Sequence, residues 1–322
     1  MKQNYSFATY YRVLGMFFIL LCHFTQQSKN IYLNMSAQLF NIGVEMFIIL
    51  SGFLFGTRER GECSTIRWLK KRTKRIFIPY ELFAFVLFII HLSCGKNVLK
   101  MDWVWLFLGI QGSIVGVQGA EQTWFITSML LCYLCTPLFE KCCEASIQRR
   151  RIVIGTLIVL PAMLALMPPA HIRTVFSPIC WYGLAFFAGN EAKGIRIRAK
   201  GAVCSLLIMC ASFAIRLFAR MVIDGTILYD RIVASYTHVL AAFAMFYLIA
   251  FLTKERQTGR CLHFLSSISF EVYLYHYLFC VGPVRLFSLT GNWLVECCVI
   301  TIITVLIAYF MKKASDTIAK RI

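Results

Sequence analysis

The sequence predicts an all-α, polytopic integral membrane protein with about ten transmembrane helices. Three observations carry that prediction. Of the 322 residues, 59% are hydrophobic, where a soluble domain has about 45–50%. The excess is gathered into runs of about twenty residues along the whole chain, the length that crosses a hydrocarbon core of roughly 30 Å. The charged residues collect in the short stretches between those runs. No window is long and polar enough for a separate soluble domain, so residues 1–322 read as one membrane-embedded domain.

The apolar runs fall near 11–24, 38–56, 76–95, 122–140, 151–168, 174–191, 201–220, 232–252, 264–286 and 293–311. The first is not followed by a small-residue cleavage pattern, so it is expected to remain as a helix. The second is rich in Phe and Ile and carries one acid, Glu45. The third follows the densest basic stretch of the chain, 67–75. A further run, 103–117, is broken by Gly109, Gly112 and Gly116. It is too short for a span and reads as a re-entrant or interfacial segment, whose backbone must be satisfied by surrounding protein. The later runs are separated by short loops, and the ninth carries Glu271 and His276.

Ten spans place both ends on one side of the membrane. Most of the 33 lysines and arginines fall on that side, including Lys2, Arg60, Arg72, Arg75, Arg149, Lys193, Arg196, Lys254 and Lys320. The other face and the adjoining helix ends hold Lys29, Lys96, Lys100, Arg173, Arg216, Arg220, Arg231 and Arg285. The positive-inside rule then makes both termini cytoplasmic, in a plasma membrane of bacterial type. Counting 103–117 as a full span would invert every later loop and spoil the bias. The net charge of +18 is therefore a topology signal, and nucleic-acid binding is not expected.

Most of the 14 cysteines lie inside apolar runs. Cys132 and Cys135 form a CxxC without a second pair or a nearby His/Asp cluster, so no metal site is expected. Asn34-Met35-Ser36 is a glycosylation sequon, read as lying in an outer loop.

Ionisable residues at membrane depth are functional candidates by default. Arg12 and His23 are about three helical turns apart and share one face of the first helix, roughly 16 Å apart along its axis. Arg12 would sit at the cytoplasmic interface and His23 in the outer half of the bilayer. Glu45, roughly 10 Å into the second span, can share the level of His23. That is the layout of a general base and the carboxylate that orients it. The alternatives are a snorkelling histidine and a structural ion pair at Glu45. His276, with Tyr273, Tyr275 and Tyr277, either lines a polar cavity or packs between helices. Arg72 and Arg75 are i and i+3 on one helix face. Such a pair can clamp phosphates, or serve only topology and lipid contact.

Together these residues resemble the acyltransferase-3 family of integral-membrane acyltransferases. Arg12-x10-His23 is similar to its first-helix arginine–histidine signature. Gly43-Val44-Glu45-Met46-Phe47 followed by Ser51-Gly52-Phe53 resembles its second-helix motif, and Arg72-x-x-Arg75 with Pro79-Tyr80 its third-helix basic motif. Trp124-Phe125 with Tyr133 and Pro137 resembles its central helix. Ser269-Phe270 with Tyr273-Leu274 and His276 resembles its late helix. The motifs occur in order over nearly the whole chain. Met46 and Ile48 stand where aromatic residues are common, and Phe270 where Tyr is common.

The resemblance implies transfer of an acyl group, commonly acetyl, from cytoplasmic acyl-CoA (acetyl-CoA above all) to a hydroxyl of a cell-envelope glycan, a lipid-linked precursor or a similar envelope molecule. His23 and Glu45 would be catalytic. Arg12, Arg72 and Arg75 would hold the donor's phosphates. Ser51, Trp124, Tyr273 and His276 would line the acceptor site. Two other classes are a transporter or flippase without covalent chemistry and a silent partner of other envelope enzymes. A transporter commonly shows internal repeats, which the two halves here lack.

Overall fold

A computed structural model describes residues 6–58, 65–110, 116–167, 170–192 and 197–321. Lys2, Arg60, Lys193 and Arg196 of the basic stretches, and residues 111–115 of the glycine-broken run, lie outside them. Among the described residues there are α-helices and no strand. They are α1 (Ser6–Gln26), α2 (Ile31–Phe40), α3 (Gly43–Gly56), α4 (Thr65–Ser93), α5 (Met101–Phe107), α6 (Trp124–Glu144), α7 (Ile147–Leu166), α8 (Ala170–Glu191), α9 (Ala199–Ile223), α10 (Ala234–Leu252), α11 (Arg260–Cys280) and α12 (Trp293–Arg321).

The helices are built for a hydrocarbon solvent. α12 buries Ile300, Thr304, Ala308 and Ser315 and exposes Ile302, Leu306 and Phe310. α9 buries Ala202, Ser205, Ser212 and Arg216 and exposes Val203, Leu207, Phe218 and Met221. Mostly small or polar residues face inward and large apolar ones outward, the reverse of a water-soluble helix and the arrangement of helices packed in lipid. Among the described residues, seven helical stretches are long and apolar enough to cross a membrane. They comprise α1, α2 with α3, α4, α6, α9, the segment ending in α10, and α12. α7, α8 and α11 have the length, at 20, 22 and 21 residues. Their polar residues, such as Arg149–Arg151 and Glu271, lower their apolarity. The molecule is an all-α polytopic membrane protein.

Three expectations are refined. The second run divides at Asn41-Ile42 and begins earlier, as α2. The sequon residue Asn34 lies on that helix, where its amide donates to the Gln26 carbonyl at 2.9 Å and satisfies a helix end. The basic stretch 67–75 is part of α4 itself. Among its described residues, the glycine-broken run forms the end of the seven-residue α5 before the chain turns at Gly109, φ +68°. A helix that short cannot span.

The chain forms two compact units: one of Met1–Gly15, Asn41–Cys63 and Leu131–Ser266, the other of Met16–Phe40, Ser64–Leu130 and Ser267–Ile322. In the first, α3 and α8 pack backbone to backbone. A Cβ added at Gly52 would stand 2.3 Å from the Tyr182 carbonyl oxygen, at Gly56 2.0 Å from that of Phe186, and at Gly189 2.2 Å from that of Phe53. Gly52 and Gly56 are four apart, so one glycine stripe sets the whole contact. Phe7, Phe53 and Phe246 close the core beside it, with ring centroids 4.6–5.9 Å apart. In the second unit, α4 packs on α12 and α5. The Tyr80 hydroxyl donates to the Leu106 carbonyl, and Trp293 donates from Nε1 to the Phe24 carbonyl at 2.9 Å.

Candidate active site

The second unit gathers His23, Tyr273 and His276, with Trp124 nearby. His23 is half-buried near the end of α1. Its Nδ1 lies 3.2 Å from Oε1 of Gln26, one turn later. Gln26 turns its amide nitrogen to Sγ of Cys22 at 3.5 Å, which leaves the oxygen for His23. An amide oxygen only accepts, so Nδ1 carries the proton and Nε2 holds the lone pair. That is the tautomer of a general base.

His276 is fully buried on α11, its ring centroid 5.2 Å from that of His23. Its Nδ1 faces the Val272 carbonyl at 3.1 Å, so it too keeps the Nε2 lone pair. That Nε2 is buried and has no hydrogen-bond partner in the structure. Tyr277 stands edge-on to His23 at 5.0 Å. Tyr273 lies 6.2 Å from His276 and 5.2 Å from Phe125, which adjoins Trp124. Its hydroxyl donates to the Gln122 carbonyl. Gln122, in the 3-10 turn Glu121–Thr123 that starts α6, donates in return to the Leu274 carbonyl at 3.0 Å. This double clamp holds the start of α6 against α11.

Arg72 and Arg75 lie elsewhere in the second unit, on the first turns of α4. Arg72 is half-buried and Arg75 exposed. Two residues beyond Arg75 an open groove of about 370 Å³ begins, lined by Phe77, Glu81 and Phe85 with Phe107 and Ile318.

The first unit holds Arg12, Glu45 and Ser51. Arg12 donates from Nη1 to the Ser266 hydroxyl at 3.0 Å. Glu45, in the first turn of α3, has Oε1 3.9 Å from Nδ1 of the buried His238. Arg216 and Arg173 act on it electrostatically. Ser51 is half-buried beside Gly52 on α3. Gln26, Gln122 and Arg216 were not singled out in the sequence. The two glutamines look like ordinary helix-end residues there. Arg216 does give a signal, an arginine inside the apolar run 201–220, but sequence alone placed it among the charges of a helix end.

The fold defines a polytopic membrane protein, one that carries ionisable groups within its helices. Residues 6–313 match the model of the acyltransferase domain of the acyltransferase-3 group, nearly the whole chain. The chain belongs to that family and is a membrane acyltransferase. No curated protein and no solved structure matches it.

Proposed function

We propose that the protein transfers an acyl group, acetyl in the simplest case, from cytoplasmic acyl-CoA to a hydroxyl of a cell-envelope glycan or its lipid-linked precursor, in the plasma membrane. The observation that carries this reading is the bond from His23 Nδ1 to Gln26, because it leaves Nε2 ready to take a proton. Nε2 removes the acceptor's hydroxyl proton as that oxygen attacks the thioester carbonyl. A C–O bond forms, the C–S bond breaks, and the departing CoA thiolate receives the proton from His23. His276 Nε2, a buried acceptor beside His23, and Tyr273 help to position the hydroxyl, with Trp124 lining the acceptor path; Ser51, in the first unit, is a separate candidate for acceptor contact.

Arg72 and Arg75 hold donor phosphates; Arg12, anchored by Ser266 within the first unit, is a further candidate for a donor phosphate. The open groove that begins at Phe77, two residues beyond Arg75, supports this, since an extended pantetheine arm needs a surface to lie along. Glu45 is the second catalytic candidate, with His238 as its partner.

Purified protein incubated with labelled acetyl-CoA and envelope glycans should yield labelled glycan. His23→Ala should lower the rate by about 10²–10⁴-fold, the usual worth of a general base. Full-rate transfer by His23→Ala would end the proposed role. Labelled precursor crossing vesicles without covalent transfer would replace the enzyme reading by transport.

A further inference from the structure

Two accepting nitrogens stand side by side in the second unit, and the reacting hydroxyl supplies a proton to only one of them. His23 commits Nδ1 to Oε1 of Gln26 at 3.2 Å. His276 commits Nδ1 to the Val272 carbonyl at 3.1 Å. Each ring therefore presents Nε2 as an acceptor. The ring centres are 5.2 Å apart and the planes 37° from parallel, a separation comparable to the breadth of one sugar ring. His276 is fully buried, and its Nε2 has no hydrogen-bond partner among the described residues.

The neighbouring side chains do not supply the missing donor. The Tyr273 hydroxyl is spent on the Gln122 carbonyl, and Gln26 turns its amide nitrogen to Cys22. Tyr277 packs edge-on against both imidazoles, its ring centre 5.0 Å from that of His23 and 5.9 Å from that of His276. A buried acceptor without a donor costs free energy, and such an atom in a native fold calls for a bound water, a ligand or a catalytic role. The reacting hydroxyl is not the donor. It has one proton, and that proton goes to Nε2 of His23.

We propose that Nε2 of His276 accepts a hydrogen bond from a second hydroxyl of the acyl acceptor, so that the protein selects acceptors with two hydroxyls on neighbouring or next-neighbouring carbons. The assignment rests on the reading of His23 as the base. The second hydroxyl keeps its proton and undergoes no chemistry. Its bond to His276 holds the acceptor so that the first hydroxyl meets His23. An acceptor with a single hydroxyl leaves the buried nitrogen unpaired, and a site built to bond a substrate hydroxyl discriminates strongly against the analogue that lacks it.

The test is esterification of small alcohols by the purified protein with labelled acetyl-CoA, scored as kcat/KM per hydroxyl. Cyclohexanol carries one hydroxyl. The 1,2- and 1,3-cyclohexanediols carry two at the required spacing, and 1,4-cyclohexanediol carries two that are too far apart. At least one 1,2- or 1,3-diol should exceed both cyclohexanol and the 1,4-diol by about tenfold or more, the worth of satisfying one buried acceptor. His276→Phe keeps a ring in place and should abolish that preference. His276→Gln, which offers an amide oxygen, should recover part of it. Each preference is a ratio within one protein sample, so partial misfolding of a variant does not distort it, and the unsubstituted protein alone already tests the site. The site is overturned if no 1,2- or 1,3-diol is preferred, or if His276→Phe keeps the preference. It is also overturned if His276→Phe acts only by raising the KM for acetyl-CoA, which would make a donor amide the partner. Labelled envelope glycan without a diol preference sinks this site alone. No ester on any acceptor, glycan included, sinks the reaction on which it rests.

Discussion

His23 has two ring nitrogens, and the chemistry depends on which one carries the proton. Gln26 settles that by offering an oxygen to Nδ1. Gln26 is exposed at the end of α1, so replacing it should leave the fold intact. Gln26→Leu should lower kcat about tenfold with the KM for acyl-CoA unchanged, and Gln26→Glu, which keeps an acceptor oxygen, should recover most of the rate. A Gln26→Leu enzyme at full speed would show that the tautomer is held another way. For the donor, Arg72→Gln/Arg75→Gln should raise the KM for acyl-CoA about tenfold or more, because a guanidinium–phosphate pair is charge-assisted and often bidentate. An unchanged KM would return the pair to a topology role.

At the scale of elements, the α3–α8 contact is the most sensitive to change. Helices in lipid gain little from apolar burial against each other, so close packing between small residues carries association. Gly52→Ala would drive a methyl to 2.3 Å from the Tyr182 carbonyl oxygen. Such overpacking typically costs about 1–3 kcal/mol, and the thermal midpoint in detergent should fall by several degrees. Gly155 on α7 is the internal control, since a Cβ there meets nothing within 4 Å. Gly155→Ala should leave the midpoint unchanged or raise it slightly through helix propensity. Equal effects at both positions would show that the α3–α8 stripe does not limit stability. Because α3 also carries Glu45, a loosened stripe should disturb the Glu45–His238 pair before it unfolds the helix.

For the whole molecule, orientation is the property to test. Cys94, after α4, and Cys261, at the start of α11, are both exposed. With cytoplasmic termini, Cys94 faces outward and Cys261 inward. In single-cysteine variants a membrane-impermeant maleimide should label Cys94 in intact cells and Cys261 only after the cells are opened. The opposite pattern would invert the topology and place the acceptor chemistry on the cytoplasmic side.

The sequence by itself determined the all-α membrane class, because twenty-residue apolar runs have no other stable home than a bilayer and must bond their backbones internally. It also marked Arg12, His23, Glu45, Arg72, Arg75 and His276, because ionisable groups stand out against an apolar background. It could not show which groups meet. Periodicity fixes a residue's face on its own helix, whereas a partner is chosen by packing between helices. Tertiary structure therefore decided that the His276 ring lies 5.2 Å from that of His23, whereas Gln26, one turn along the same helix, is a neighbour that helix geometry alone provides. It likewise placed His238 and the arginines around Glu45. It turned Arg216, which sequence put at a helix end, into a buried charge at 2% exposure. It also gave Gly52 of the SGF motif, with Gly56 one turn later, a purpose, since the approach of one backbone to another is invisible until both helices are in place.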